Sequence, residues 1–246
     1  MSVVIFAIVL STASTQDVLA APKLTTRADC ALTSVCRVVV VVNSDWHNPP
    51  KLIKFGSAVT HSVAELIRLA KTRPRALNYA SSGNGTSGHL CLELLKETGG
   101  VDIVHIPYKG GAPAMADVLG GQVPVICNNL VEVLPHVNAG KLRALGISAA
   151  SRSPLLPNVP TVAETYPGFE ADTWFGVVAP AGTPAAIIDK LNESIRQIKD
   201  TPQVKTRLAQ MGANAIDYAP AEFAAMIRRE MEKWGKVVRG AGIKPE

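Results

Sequence analysis

The chain has 246 residues, and 25 Lys and Arg against 20 Asp and Glu leave a formal charge of +5. At 47% hydrophobic and 18% charged it is too apolar for a disordered chain, and it is long enough to bury a large core in one large domain or two ordinary ones. A pI near 9.1 does not make it a nucleic-acid binder: the basic residues are scattered, the densest cluster (Lys71, Arg73, Arg75) is interrupted by Pro74, and only 5% of residues are aromatic.

The first apolar run, Val3 to Leu10, has two readings that stand level. Val18-Leu19-Ala20 before Ala21 offers the small residues of a signal-peptidase site, but no Lys or Arg precedes the run, and it falls short of the roughly 20 apolar residues that span a bilayer. A short apolar run ending in Ser11-Thr12-Ala13-Ser14 equally suits a buried strand. Cys30 and Cys36 could pair in a secreted protein, whereas Cys91 and Cys127 sit in apolar runs and read as small core residues. No His/Cys ligand spacing appears, so no metal is expected.

Arg37 to Asn43 contains five consecutive valines and reads as a strand buried on both faces. After a loop-like stretch from Ser44 to His61, Ser62 and Glu65 form a capping box for a helix whose Val63, Leu66, Ile67 and Ala70 share one face until Arg73-Pro74. Then come a strand over Ala76 to Ala80, a Gly-rich turn, a helix to about Glu97, a strand over Ile103 to Ile106, a second Gly-rich turn and a helix to Leu119. Val123 to Cys127, a helix to about Val137 and Leu142 to Ser148 complete the series. Strands alternating with helices of this length predict a parallel α/β sheet with helices on its faces.

In the tail, Trp174 to Ala179 reads as a strand. Thr183-Pro184 reads as the N-cap and first residue of a helix with Ile187, Ile188, Leu191, Ile195 and Ile198 on one face, and Thr201-Pro202 repeats the signal for a helix to Met211. Pro220 opens the last helix, with Phe223, Ile227, Met231, Trp234 and Val238 on its buried side. These stripes are read as core packing.

Parallel sheets gather ligands at the carboxyl ends of their strands, where helix N-termini present unpaired N–H groups. Three such ends carry suitable residues: Ser81-Ser82-Gly83-Asn84-Gly85-Thr86-Ser87-Gly88, Pro107-Tyr108-Lys109-Gly110-Gly111 and Cys127-Asn128-Asn129. Gly83, Gly85 and Gly88 spell a dinucleotide fingerprint, but the next strand ends in His105-Ile106-Pro107-Tyr108, not in the acid that would hold a ribose, so no nucleotide cofactor is expected. Ser81, Ser82 or Ser87 with His89 or His105 and Asp102 could be drawn as a hydrolytic triad, yet no nucleophile elbow marks one serine. Each histidine also reads as a structural residue. What remains is non-covalent anion capture by backbone N–H groups, hydroxyls, amides and the charge of Lys109.

At these residues the chain resembles the tripartite tricarboxylate transporter substrate-binding proteins, the Bug-type receptors. The resembling runs are Leu77 to Leu90, Ile106 to Ala114, Gly140 to Leu145, Leu156 to Thr161, and Trp174-Phe175-Gly176 with Ala179 to Pro184. The resemblance implies a type II periplasmic-binding-protein fold of two α/β lobes, with residues 1–44 plus 170–246 as an incomplete first lobe and 45–169 as the second. It implies a monomeric periplasmic receptor, without cofactor, that closes over a small organic carboxylate and presents it to an integral-membrane permease. Carried over, the ligand falls to Ser81, Ser82, Gly83, Asn84, Gly85 and Thr86, supported by Tyr108, Lys109, Gly110 and Gly111. Asn128 stands where relatives commonly have Asp, and Trp174 is either a cleft wall or core. Relatives also begin with a further first-lobe segment that this sequence lacks, so the expectation is a truncated chain. Val3 to Thr15 resembles the strand and turn that follow that segment, which favours the strand reading. The alternatives are an α/β hydrolytic enzyme using a Ser/His pair, or a folded remnant that binds nothing.

Overall fold

The computed structural model describes residues 33–36, 38–43, 60–180 and 182–244, which divide between two compact units. Unit 2 runs from Arg37 to Asp172, and unit 1 takes Thr173–Glu246 together with the chain up to Cys36. The sequence boundaries shift accordingly. The strand Val38–Asn43, expected in the first lobe, pairs inside unit 2, because a valine run declares a strand but not its partners. The strand-or-signal reading of Val3 to Leu10, the Cys30–Cys36 pairing and most of the 44–61 stretch lie outside the described residues.

Unit 1 holds a three-stranded antiparallel sheet with β1 (Thr33–Cys36) between β7 (Thr173–Phe175) and β8 (Ala213–Ile216). The chain leaves unit 1 after β1 and returns at β7, and these two segments pair with each other, Cys36 opposite Thr173. Helix α5 (Ala185–Lys199) starts one residue after Pro184, because the Thr183 hydroxyl donates back to Pro180 O (2.8 Å) and caps nothing. Its apolar stripe is only partly core: Ile188 is buried, while Ile187 and Ile198 are 50% and 57% exposed. Helix α6 (Pro202–Gln210) begins as predicted, with proline in its first turn. In α7 (Pro220–Gly240), Phe223, Val237 and Val238 are buried, and Trp174 meets the Phe223 ring edge-on at 5.7 Å. Lys199 keeps its stem buried and reaches Asp217 at 2.6 Å.

Unit 2 is a five-stranded sheet in the order β4-β3-β5-β2-β6, where β2 is Val38–Asn43, β3 Asn78–Ser81, β4 Val104–Pro107, β5 Val125–Asn129 and β6 Leu142–Ile147. β3 runs parallel to both β4 and β5. β2, however, lies antiparallel between β5 and β6, so the sheet is mixed rather than wholly parallel. The helices are α1 (Val63–Thr72), α2 (Ser87–Gly99), α3 (Gly111–Leu119) and α4 (Leu130–Asn138). The predicted apolar face of α1 is the buried one, and Ser62 accepts from Glu65 N–H (3.2 Å). The box is offset by one residue, since the Glu65 carboxylate accepts from His61 N–H (2.6 Å).

The core under α3 and α4 is Ala80, Ala114, Val118, Ile126, Leu130, Val133, Leu142 and Ile147, all at most 2% exposed. Each such side chain removed from water contributes on the order of 1.5–3 kcal/mol for the larger aliphatics, and this fixes where the helices begin relative to the strand ends. Cys91 on α2 and Cys127 on β5 are buried, as expected of core residues, but their sulfurs are joined in a disulfide across 36 positions of sequence. Two isolated cysteines in apolar runs carry no spacing that announces such a pair.

Candidate functional site in unit 2

Because β3, β4 and β5 are parallel, their carboxyl ends lie at one edge of the sheet, and α2, α3 and α4 all start there. Thr86, Gly110 and Asn129 stand at the three N-cap positions, and none of them caps its helix with a side-chain hydrogen bond. By contrast Ser62 does cap α1. Three helix starts therefore turn first-turn N–H groups, with their partial positive charge, toward one edge.

The first loop is held from beneath. Ser81 is 1% exposed, and its Oγ accepts from Gly83 N–H (3.2 Å) and donates to Gly83 O (3.0 Å). Thr86 Oγ1 donates to the same carbonyl (2.8 Å), and Gly85 N–H donates to His89 Nδ1 (3.0 Å). Gly83 and Gly85 have φ of 136° and 70°, conformations that a side chain makes costly. The second loop is tied to the first by two backbone bonds of 3.0 Å, Tyr108 N–H to Ser81 O and Gly110 N–H to Ser82 O. The Tyr108 hydroxyl donates to Asp117 (2.6 Å), and burial, then that bond, raises its pKa to about 12. Lys109 is exposed on this loop and forms no ion pair among the described residues.

Asn128 is not beyond the strand but within it, opposite Val39. Its Oδ1 accepts from Asn129 N–H (2.8 Å), and its Nδ2 donates to Glu132 Oε2 (2.7 Å). Glu132 escaped the sequence reading, although its place four residues beyond Asn128 in the first turn of α4 was a usable signal. Gly83, Asn84 and Gly110 lie in the turns where the sequence placed them, Gly111 is instead the first residue of α3, and Trp174 belongs to unit 1, against Phe223.

Below the first loop is a polar stack in which Tyr79, His89 and Glu93 are buried and His105 is half-buried. His105 stacks on His89 (ring centroids 3.8 Å) and on Tyr79 (4.9 Å), and the Tyr79 hydroxyl donates to Glu93 (2.6 Å), which Lys96 also pairs at 2.7 Å. Burial lowers the pKa of both histidines to about 4; Lys96 adds to the shift of His89, and His89 to that of His105. Burial and the Glu93 carboxylate push the Tyr79 phenol upward. Both imidazoles are therefore neutral near pH 7.

This arrangement does not make a hydrolytic triad. Ser81 and His105 do touch (Oγ to Nε2, 2.6 Å), but Ser81 is 1% exposed and its Oγ is also bonded to the N–H and carbonyl of Gly83, so the hydroxyl is packed under the loop rather than presented to a substrate. Asp102 pairs instead with Arg75 at 3.5 Å. Among the described residues no cluster of His, Cys, Asp and Glu could hold a metal, and no helix is long and apolar enough to cross a membrane.

Uncapped helix starts at the carboxyl edge of an α/β sheet are a common setting for anion binding, and comparison with known proteins points to the class of periplasmic binding proteins. Residues 20–243 match the profile of the tripartite tricarboxylate transporter family receptor, and the chain belongs to that family. It is 40% identical over 184 residues to the protein BugT of Bordetella pertussis, covering 74% of this chain and 56% of BugT. The chain thus spans little more than half the length of that relative. Among solved structures, an R. palustris protein with adipate matches at 34% identity and a TM-score of 0.73, covering 90% of this chain and 70% of that one. The periplasmic binding protein BugD matches at 29% identity and a TM-score of 0.72, over the same shares. The fold is α/β and periplasmic-binding-protein-like.

Proposed function

We propose that this protein is a solute-binding receptor that captures a small organic carboxylate at the carboxyl edge of the unit 2 sheet, without making or breaking a bond. The observation that carries the reading is the meeting of three uncapped helix starts, α2, α3 and α4, over loops whose backbone is fixed from below. A carboxylate completes the hydrogen bonding of such N–H groups, and fixed donors hold it without the entropy cost of ordering a loop.

In this reading Ser82 to Thr86 wrap the carboxylate: Gly83, Gly85 and Thr86, bonded within the protein, shape the loop together with Ser81, while the Ser82 hydroxyl, the Asn84 amide and the first-turn N–H groups of α2 donate to the ligand. Tyr108, Lys109, Gly110, Gly111 and Asn128 border it. Kinship to a receptor family and to an adipate-bound protein supports the ligand class. The same kinship supports a periplasmic setting and a membrane permease as partner, and the reading takes the receptor as a monomer.

Titration calorimetry of the 246-residue chain against mono-, di- and tricarboxylates and one amino acid tests the reading. Saturable binding of a carboxylate that is lost in Asn84→Leu is the expected result. A chain that melts cooperatively yet binds no carboxylate overturns it.

A further inference from the structure

We infer that Glu132 limits unit 2 to one ligand carboxylate and turns away a second, so that the site prefers an acid whose other polar group is an uncharged hydrogen-bond donor. This inference deepens the carboxylate-receptor reading and rests on it. The three helix starts are alike in lacking a side-chain cap but differ in charge. Neither α2 nor α3 carries an acid in its first turn, whereas α4 carries Glu132.

Glu132 is an exposed residue, but its carboxylate has partners in the site. Its Oε2 accepts from Asn128 Nδ2 at 2.7 Å, and a β-carbon placed on Gly111 would lie 3.3 Å from that oxygen and 3.4 Å from Ser82 Oγ. The carboxylate therefore stands by Asn128 and against Gly111, the first residue of α3, while serving the N-terminus of α4 by position. Two of the three helix starts already face an anion that the protein supplies. The start of α2, beneath Gly83 to Thr86, has no such acid and remains for the ligand.

A ligand carboxylate at the α2 start then extends toward a fixed negative charge. A second carboxylate there meets like-charge repulsion, whereas a hydroxyl can donate to the Glu132 oxygens. Lys109, exposed and two residues before Gly111, opposes this effect because it attracts the extra charge of a diacid, so the Glu132→Gln comparison, made with Lys109 in place, isolates the part that Glu132 plays.

The probes are acids of matched length, adipate and 6-hydroxyhexanoate with succinate and 4-hydroxybutyrate, titrated into wild type, Glu132→Gln and Glu132→Ala. Glu132→Gln keeps an acceptor for Asn128 and removes only the charge. In wild type the hydroxy acid of a pair binds at least tenfold tighter than its diacid, and Glu132→Gln moves that ratio at least tenfold toward the diacid. A wild-type preference for the diacid, or a ratio unmoved in both variants, overturns the inference and leaves the receptor reading standing. Cooperative melting with no acid bound by any of the three proteins overturns the receptor reading and this inference with it.

Discussion

Gly85 donates its backbone N–H to Nδ1 of His89 at 3.0 Å, a bond that ties the middle of the Gly-rich loop to the helix it precedes. The donor is buried and the imidazole is 4% exposed, so water does not replace the bond freely. The acceptor role of Nδ1 puts the ring proton on Nε2, which faces Glu93 Oε1 at 3.8 Å.

His89→Ala strands the Gly85 N–H and should cost about 1–3 kcal/mol of stability. His89→Gln keeps an acceptor and should recover part of the loss. The loop also loses its fixed backbone, so carboxylate affinity falls in His89→Ala by more than in His89→Gln. Urea midpoints and calorimetric titration check both, and equal affinity in the two variants would show that the bond does not position the loop.

Acid should weaken unit 2 through the histidine stack. Both histidines have pKa values lowered to about 4 in the fold, against an ordinary value of about 6.5. Between those values the unfolded chain binds the protons that the folded stack refuses. The stabilisation is thus whole above about pH 6.5 and is lost as pH falls toward 4, by at most about 1.4 kcal/mol per pH unit for each group. Protonated His89 also cannot accept from Gly85. Carboxylates titrate near the lower end of this window, so the readout is the difference in slope between wild type and His89→Gln. Identical slopes from pH 6.5 to 5 would rule His89 out as a source.

How far the sequence revealed this structure depends on whether a feature is local. Gly83, Gly85 and Gly110 sit in turns between an apolar run and a helix pattern, and all three take positive φ there. The Val38–Asn43 strand was equally visible, but its place antiparallel between β5 and β6 was not, because partners distant in sequence leave no mark on a run of valines. β8, Ala213–Ile216, went unread for want of β-branched residues: Ala-Asn-Ala-Ile carries one, and pairing to β1 makes it a strand. Thr183 looked like a cap until its hydroxyl was found bonded back to Pro180. Glu132 and the histidine stack are likewise products of the fold: the stack is assembled from β3, β4 and α2, and the Glu132 contacts from β5, α3 and α4.

The Cys91–Cys127 disulfide should be a measurable part of stability. It closes a loop of 36 positions from α2 to β5, one residue before Asn128, and the chain-entropy estimate for such a loop is about 4 kcal/mol. The double variant Cys91→Ala/Cys127→Ala should melt well below wild type, and reductant should lower the wild-type melting temperature but not that of the variant. Peptide mapping without reduction should recover residues 91 and 127 in one linked peptide. Alkylation of both cysteines in unreduced, denatured protein would show instead that they are the separate thiols their sequence context suggests.

Gly88→Ala pits two effects against each other, and their sizes decide the sign. Gly88 lies in the first turn of α2, where alanine ordinarily stabilises a helix by up to about 1 kcal/mol. A β-carbon at this position, however, would collide with the Cys127 carbonyl oxygen, a backbone atom of β5. No flexible side chain can yield there, and overpacking of this kind costs about 1–3 kcal/mol. The close approach wins, and Gly88→Ala should be destabilising by urea denaturation. Relief of the collision pushes the start of α2 away from β5, so carboxylate affinity should fall as well. A variant as stable as wild type with unchanged affinity would mean that α2 and β5 are not held as closely as the glycine contact implies.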